Sequence, residues 1–458
     1  MTRSLIAVLF LIAAASAQTG STFGKGQVVK RVVTLANPAQ SYALYLPKAY
    51  DPAKSWPILI AFDPGALGYR PVTLAKDAAE EFGYIVVASN NSQNGPPGPE
   101  MEAADAVWAD VHQRLSLDPR RTYFAGFSGG SRLAVQLTAS CHGCAAGVLA
   151  SGAAYPINQE PKAVAPFLYF GSYGREDFNF SEYVDIEPKL QKANFTYCLR
   201  PFDGGHEWPP GDVWRDALTW FKLQAMKSGV LEKDESLVAD SLSRAMAEAA
   251  ERSDDLERLR AFSQIVRDFT GLADVSPAQK LAASLDDAKT VRDLLHREQQ
   301  DIRDQEALAA PFATAIEGLW IPDHRADARV ELARLFTEID KRAHSKDPRQ
   351  QLVAKRARSQ AFIVIYEEAM NKVAAKQYSD ALVLLDLIVE AAGRAPGAHV
   401  QKSRVYMLMG SKGKALGEAR LAVRDGLSDP EAFSAPEFAE LKSTSEFKAL
   451  FAAADTKR

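Results

Sequence analysis

The run Gly126-Phe127-Ser128-Gly129-Gly130 is a G-x-S-x-G sequence. It follows an apolar, strand-like stretch, Thr122 to Ala125, and precedes a helix-like one, Ser131 to Ser140. A serine on such a sharp strand-to-helix turn is lifted off the sheet, and small residues on either side let the neighbouring strand and helix come close. The chemistry this suits is attack on an acyl carbonyl, with the positive end of the following helix turned toward the developing oxyanion. A hydroxyl needs a base for that task. Of the seven histidines, His206 has the fitting context. It lies in Phe202-Asp203-Gly204-Gly205-His206-Glu207-Trp208, after the strand-like Phe195 to Leu199, and the two glycines free the loop to bring an imidazole over a sheet edge. His112 reads as a solvated helix residue and His142 as structural, while His296, His324, His344 and His399 belong to a helical half.

A base of this kind needs an acid to hold its tautomer. In the chain order serine, acid, histidine, the acid follows a strand between Ser128 and His206. Phe167 to Gly171 is that strand, and Ser172-Tyr173-Gly174-Arg175-Glu176-Asp177 is the loop after it. Asp177 is the first choice and Glu176 the alternative; a plain cap, or a pair with Arg175, is the structural reading of Asp177. Asp203 stands too close to His206 in the chain. An oxyanion hole needs two N–H donors. Gly129 supplies one. The other is expected from Asp63-Pro64-Gly65-Ala66-Leu67-Gly68, where Pro64 has no N–H and leaves Gly65 or Ala66. The polar loop Asn90 to Pro99 is expected to line the substrate entrance.

The elements around these residues alternate. Gln27 to Leu35 and Ser41 to Leu46 alternate apolar and polar residues, as antiparallel strands do. Short apolar runs follow at Pro57 to Phe62, Tyr84 to Ala88, Thr122 to Gly126, Ala146 to Ala150 and Phe167 to Phe170, the pattern of strands buried on both faces of a parallel sheet. Helix-like stretches separate them: Leu74 to Phe82, Ala103 to Leu115, Ser131 to Ser140, Glu182 to Lys192 and Asp212 to Met226. This is an α/β layer architecture over residues 26–226. From about Lys227-Ser228-Gly229 onward the strand signal stops. Residues 230–360 read as a helical region, with Ser276-Pro277-Ala278-Gln279 as a capping box. Residues 361–458 repeat: Ala381-Leu382 recurs as Ala415-Leu416, 34 residues on, and in that register Lys376 matches Gly410 and Lys372 matches Tyr406. That is the tetratricopeptide period, although the large aromatic expected early in each unit is missing. Other helical bundles fit the same pattern.

The chain has 458 residues, of which 47% are hydrophobic and 24% charged, so it has ample core for two or three domains and is not a disordered sequence. A formal net charge of −4 gives no global reason for binding nucleic acid or an anionic membrane. Residues 1–17 read as a signal peptide: Arg3, the apolar run Leu5 to Ala14, then Ala15-Ser16-Ala17 as a cleavage site before Gln18. A single N-terminal anchor is the other reading. A secreted or periplasmic chain without stable membrane insertion after cleavage is therefore expected. Three cysteines, Cys141, Cys144 and Cys198, leave at least one thiol unpaired. Cys141-His142-Gly143-Cys144 suits a local disulfide or two buried thiols better than a metal or redox site, and no metal is expected.

These residues make positions 26–226 resemble an α/β-hydrolase domain of the compact bacterial esterase type, similar to the dienelactone-hydrolase, phospholipase/carboxylesterase and polyhydroxybutyrate-depolymerase-like esterases. The resemblance implies a mostly parallel sheet with Ser128, Asp177 and His206 as a triad on loops at its C-terminal edge. Gly204 to Trp208 resembles that group's histidine loop. Asp63-Pro64-Gly65 stands where His-Gly-x is common, and the short stretch Ala153 to Val164 leaves no room for a large lid. The implied activity is hydrolysis of small or medium carboxylic esters, without a cofactor. A peptidase of the same fold, and a non-catalytic scaffold whose helical repeats bind a protein or peptide, are the alternatives.

Overall fold

The computed structural model describes residues 23–95, 97–163 and 166–452. The expected signal segment, residues 1–17, lies outside them. The first half is one eight-stranded sheet. Its strands are β1 (Val28–Val33), β2 (Ser41–Tyr45), β3 (Trp56–Phe62), β4 (Ile85–Ser89), β5 (Leu117–Phe127), β6 (Gly147–Ser151), β7 (Leu168–Gly174) and β8 (Tyr197–Phe202), in the spatial order β1-β2-β4-β3-β5-β6-β7-β8. The pairs β1–β2 and β2–β4 are antiparallel and all the others are parallel.

Alternate residues of a strand face opposite sides, and the buried runs divide accordingly. Ile58, Ile60 and Phe62 of β3 pack on one face with α2 (Pro97–Arg114), α3 (Gly129–Ser140) and α4 (Phe180–Lys192). Leu59 and Ala61 pack on the other with α1 (Tyr69–Phe82) and α5 (Gly211–Lys227), where Trp214 and Phe221 are fully buried. This is the α/β-hydrolase fold. Two helices start well before expectation. Helix α2 starts at Pro97, so Pro97 and Pro99 belong to its first turn and not to the preceding loop; a proline costs nothing there because the N–H has no acceptor. Helix α1 starts at Tyr69, five residues before the expected Leu74, and likewise carries Pro71 in its first turn.

After α5 the chain turns at Gly229, whose φ is +73°, and becomes wholly helical among the described residues. The helices are α6 (Glu235–Ala250), α7 (Asp255–Phe269), α8 (Ser276–Asp286), α9 (Lys289–Ala309), α10 (Pro311–Gly318), α11 (Arg325–Ala343), α12 (Pro348–Ala374), α13 (Tyr378–Ala392), α14 (Pro396–Leu408), α15 (Lys412–Arg424), α16 (Ala439–Ser443) and α17 (Ser445–Ala452). Asp234, Asp254 and Asp347 cap α6, α7 and α12 with their carboxylates. The capping box expected at α8 does not form. Ser276 is inside the helix, and its hydroxyl and N–H are both captured by Asp274.

The helical half grips the sheet at several places. The indole of Trp220 on α5 donates to Asp268 on α7 at 2.6 Å, and Gln264 donates to the Tyr197 carbonyl at 3.1 Å. Ile302 of α9 joins the core formed by α2, α3 and α4. Near the C-terminal end, Asp429 accepts from the Tyr69 hydroxyl and Glu431 lies 3.8 Å from Lys30.

Candidate active site

Ser128 sits between β5 and α3 with φ +53° and ψ −121°. A non-glycine residue rarely occupies such backbone space, and it persists only where its surroundings enforce it. The surroundings here are backbone. A Cβ on Gly126 would lie 2.0 Å from the Gly130 carbonyl oxygen, and one on Gly130 would lie 2.1 Å from the carbonyl oxygen of Phe62 on β3. The two glycines therefore let the strand, the helix and the next strand close on the turn.

His206 Nε2 lies 2.9 Å from Ser128 Oγ, and Nδ1 lies 2.9 Å and 3.1 Å from the two oxygens of Asp177. Asp177 is fully buried and also accepts from the Asn179 N–H at 2.8 Å. With the carboxylate on Nδ1, that nitrogen carries the proton and Nε2 faces the serine as the acceptor. The loops holding acid and base are joined by backbone: Arg175 N donates to Phe202 O and Glu176 N to Gly204 O, both at 2.9 Å. Gly174 makes this approach possible, since a Cβ there would lie 2.2 Å from the Gly205 carbonyl oxygen.

Of the residues read from sequence, Ser128, Asp177 and His206 meet. Glu176 does not join them. It is turned outward to Lys355 on α12, at 2.6 Å. Arg175 pairs with Asp203 and Glu257 rather than with Asp177. The N–H of Gly129, in the first turn of α3, makes no hydrogen bond among the described residues. Gly65 and Ala66 have theirs engaged. Gly65 N donates to Asp63 Oδ1 at 2.8 Å, and Ala66 N to the Asp63 carbonyl at 3.2 Å. The loop expected at the entrance lies on this one: Gln93 bridges to Gly65, and Asn94 N donates to the Pro64 carbonyl at 2.9 Å. The Cys141–Cys144 disulfide is formed at the far end of α3, and Cys198 is a buried free thiol. Among the described residues no cluster of metal-ligating side chains occurs and no helix is long and apolar enough to cross a membrane.

Several neighbours were not read from sequence. The rings of Phe127 and Phe178 lie 4.6 Å and 4.3 Å from the His206 ring, centre to centre, and restrict its rotation. Asp63, buried, accepts from the Trp208 indole at 2.7 Å and so ties the histidine loop to the loop after β3. Helices α9 and α12 clamp the acid loop: Gln305 donates to the Phe178 carbonyl at 2.8 Å, and Arg356 to the Arg175 carbonyl at 2.7 Å. Arg356 lies 3.6 Å from the centre of the Phe180 ring, and burial lowers its pKa to about 10. Burial also pushes the Glu367 carboxyl on α12 above its ordinary value, while the Arg132 guanidinium pulls it back. A cavity of about 410 Å³ lies behind the acid loop, between α5, α6 and α7. Its walls carry pairs such as Arg200–Asp216 and Arg260–Glu298, and Ser128 is not among them.

No family model matches the sequence, and no curated protein matches it. Solved structures do match. A substrate-bound, fluorophosphonate-binding serine hydrolase of Staphylococcus aureus is 14% identical, with a TM-score of 0.36, covering 43% of this chain and 99% of that one. An S-formylglutathione hydrolase from Agrobacterium tumefaciens is 15% identical, with a TM-score of 0.35, covering 42% and 93%. A butyrate-bound esterase of Thermogutta terrifontis is 15% identical, with a TM-score of 0.35, covering 44% and 95%.

Proposed function

We propose that this chain is a serine hydrolase that cleaves carboxylic esters through an acyl-enzyme. The observation that carries the reading is the continuous line from Ser128 Oγ through His206 to the buried Asp177, with both links at 2.9 Å. Ser128 Oγ bonds to the ester carbonyl carbon, its proton passes to His206 Nε2, and the carbonyl π pair moves onto oxygen. Asp177 stabilises the imidazolium without taking its proton. Collapse of the intermediate expels the alcohol, which receives the proton from Nε2. Water, deprotonated by His206, then releases the acid and restores Ser128. Nothing in this cycle calls on a metal or an organic cofactor.

The proposal extends to export from the cytoplasm. The signal-like residues 1–17 and the Cys141–Cys144 disulfide support it, because such bonds persist in oxidising compartments. It also includes a tetratricopeptide-like tail as a surface for a protein or peptide. In support of this, corresponding turns recur after α12 and α14, with Gln377 N bonded to Lys372 O and Ser411 N to Tyr406 O, each at 2.8 Å.

The test is fluorophosphonate labelling beside turnover of short-chain p-nitrophenyl esters. Wild type should label and turn over. Ser128→Ala should lose both, and His206→Ala should lose roughly 10⁴-fold or more in kcat. A folded wild type that does neither would sink the reading.

A further inference from the structure

We propose that the side-chain carboxamide of Asn94 is the second oxyanion donor, beside the Gly129 N–H. This deepens the serine hydrolase reading and rests on it. The backbone leaves the place of the second donor open. The backbone groups expected to serve, Gly65 and Ala66, both donate back to Asp63, and Leu67 N donates to the same Asp63 oxygen at 3.2 Å. The Gly65 bond runs to a buried carboxylate that Trp208 holds in place. A charge-assisted bond of this kind is stronger than a neutral one, so the Gly65 N–H is not free to turn toward a substrate.

Asn94 fills the gap. Its backbone is pinned by the bond to Pro64 O, and its neighbour Gln93 is paired with Gly65. Its side chain lies against the nucleophile turn: a Cβ on Gly129 would come within 1.9 Å of Asn94 Oδ1 and 3.2 Å of Nδ2. The carboxamide is exposed and makes no hydrogen bond among the described residues. The terminal torsion of asparagine is broad and roughly two-fold. A half-turn therefore presents Nδ2–H to an oxygen already facing the Gly129 N–H. As the Ser128 Oγ–carbon bond forms and the π pair moves to oxygen, Gly129 and Asn94 donate to that oxygen; on collapse the pair returns and both bonds relax.

Asn94→Ala should lower kcat by roughly 10²–10³-fold on a p-nitrophenyl ester, the usual cost of removing one such donor, with KM within a few-fold of wild type. Affinity for a trifluoromethyl ketone, which forms a tetrahedral oxyanion on the serine, should fall in parallel. Asn94→Asp, the same size but acceptor-only, should fall at least as far while keeping the wild-type melting temperature. An active wild type whose two Asn94 variants keep kcat and ketone affinity within three-fold overturns this assignment and leaves the Ser128 reading standing. A rise in KM alone also overturns it, because that marks uniform binding. A wild type inert to fluorophosphonate overturns both.

Discussion

His206 and His399 each face carboxylates, yet their surroundings prepare them for different work. His206 has Asp177 on Nδ1 and the Ser128 hydroxyl on Nε2, and it sits on a glycine-rich loop at the sheet edge. His399, on α14, is buried, with Glu418 2.6 Å from Nδ1 and Asp425 3.4 Å from Nε2. Glu418 also holds Lys402 at 2.8 Å, and Lys402 reaches Asp386 at the same distance. With an acid facing each ring nitrogen, His399 has no hydroxyl to deprotonate, and its position ties α14 to α15. A histidine–carboxylate pair is thus not in itself a catalytic sign. The sign is an acceptor nitrogen left facing a hydroxyl whose own backbone is strained to present it, as Ser128 is at φ +53°.

Removing one member of the histidine–carboxylate pairing at each site is the strongest way to break this comparison. Asp177→Asn should lower kcat by about 10⁴-fold, because the amide favours the wrong imidazole tautomer, with little loss of stability. His399→Leu should do the reverse, leaving kcat unchanged and costing about 2–3 kcal/mol as the charges it separates lose their tie. Ester turnover and denaturant midpoints on the two variants decide it. If His399→Leu lost turnover in proportion to Asp177→Asn, the division between a working and a structural histidine would not stand.

A further buried carboxylate sharpens the point because it has no imidazole. Asp268 is fully enclosed between α5 and α7, accepting from Trp220 at 2.6 Å and Gln264 at 2.7 Å, and burial raises its pKa to about 7 despite Arg267 and Lys227 nearby. Between its ordinary value of 3.8 and about 7, the unfolded chain gives up this proton while the folded chain keeps it. The folded state then binds more protons, so the group's contribution to stability falls as pH rises through that window and levels off above it. The full effect is on the order of 4 kcal/mol as an upper bound. Asp268→Asn keeps the acceptor and loses the ionisation. It should be more stable than wild type at pH 8 and equal to it near pH 4. Melting curves that track wild type at every pH would show that Asp268 stays charged.

What could be read from sequence followed the range of the signal. The strands were legible as short apolar runs, and the serine turn as glycines at fixed offsets, because both are local. Asp177 and His206 were legible as the residues after two strands at one sheet edge. The clamp on the acid loop was not, because Gln305 and Arg356 are ordinary helix residues that meet Phe178 and Arg175 only through the packing of α9 and α12. The fate of the Gly65 N–H was hidden for a subtler reason. Asp63 was visible as a departure from the family pattern, but its capture of the loop depends on Trp208, far along the chain, holding the carboxylate in place. Proline led to one error of extent: Pro97 and Pro99 read as loop, yet in a first helical turn they break no hydrogen bond.

The smallest expected effect concerns the two turns of the helical tail. Lys376 and Gly410 occupy corresponding places, with φ of +61° and +72°, and each follows the end of a helix. Their N–H groups donate in the same way, to Val373 O and Met407 O, both at 2.9 Å. Glycine takes this conformation freely, whereas a residue with a Cβ is strained there by about 1–2 kcal/mol. Lys376 is exposed and makes no hydrogen bond through its side chain among the described residues. Lys376→Gly should relieve the strain, less the greater entropy glycine loses on folding, for a net gain of about 0.5–1 kcal/mol. Gly410→Lys, where open space surrounds the site, should lose about 1 kcal/mol by the same reasoning. Denaturant midpoints read both. Opposite signs would show that the two turns are interchangeable copies whose difference is only the presence of a Cβ. A loss at Lys376→Gly would mean that its side chain does something in this tail that Gly410 does not, and the likeness between the copies would end at the backbone.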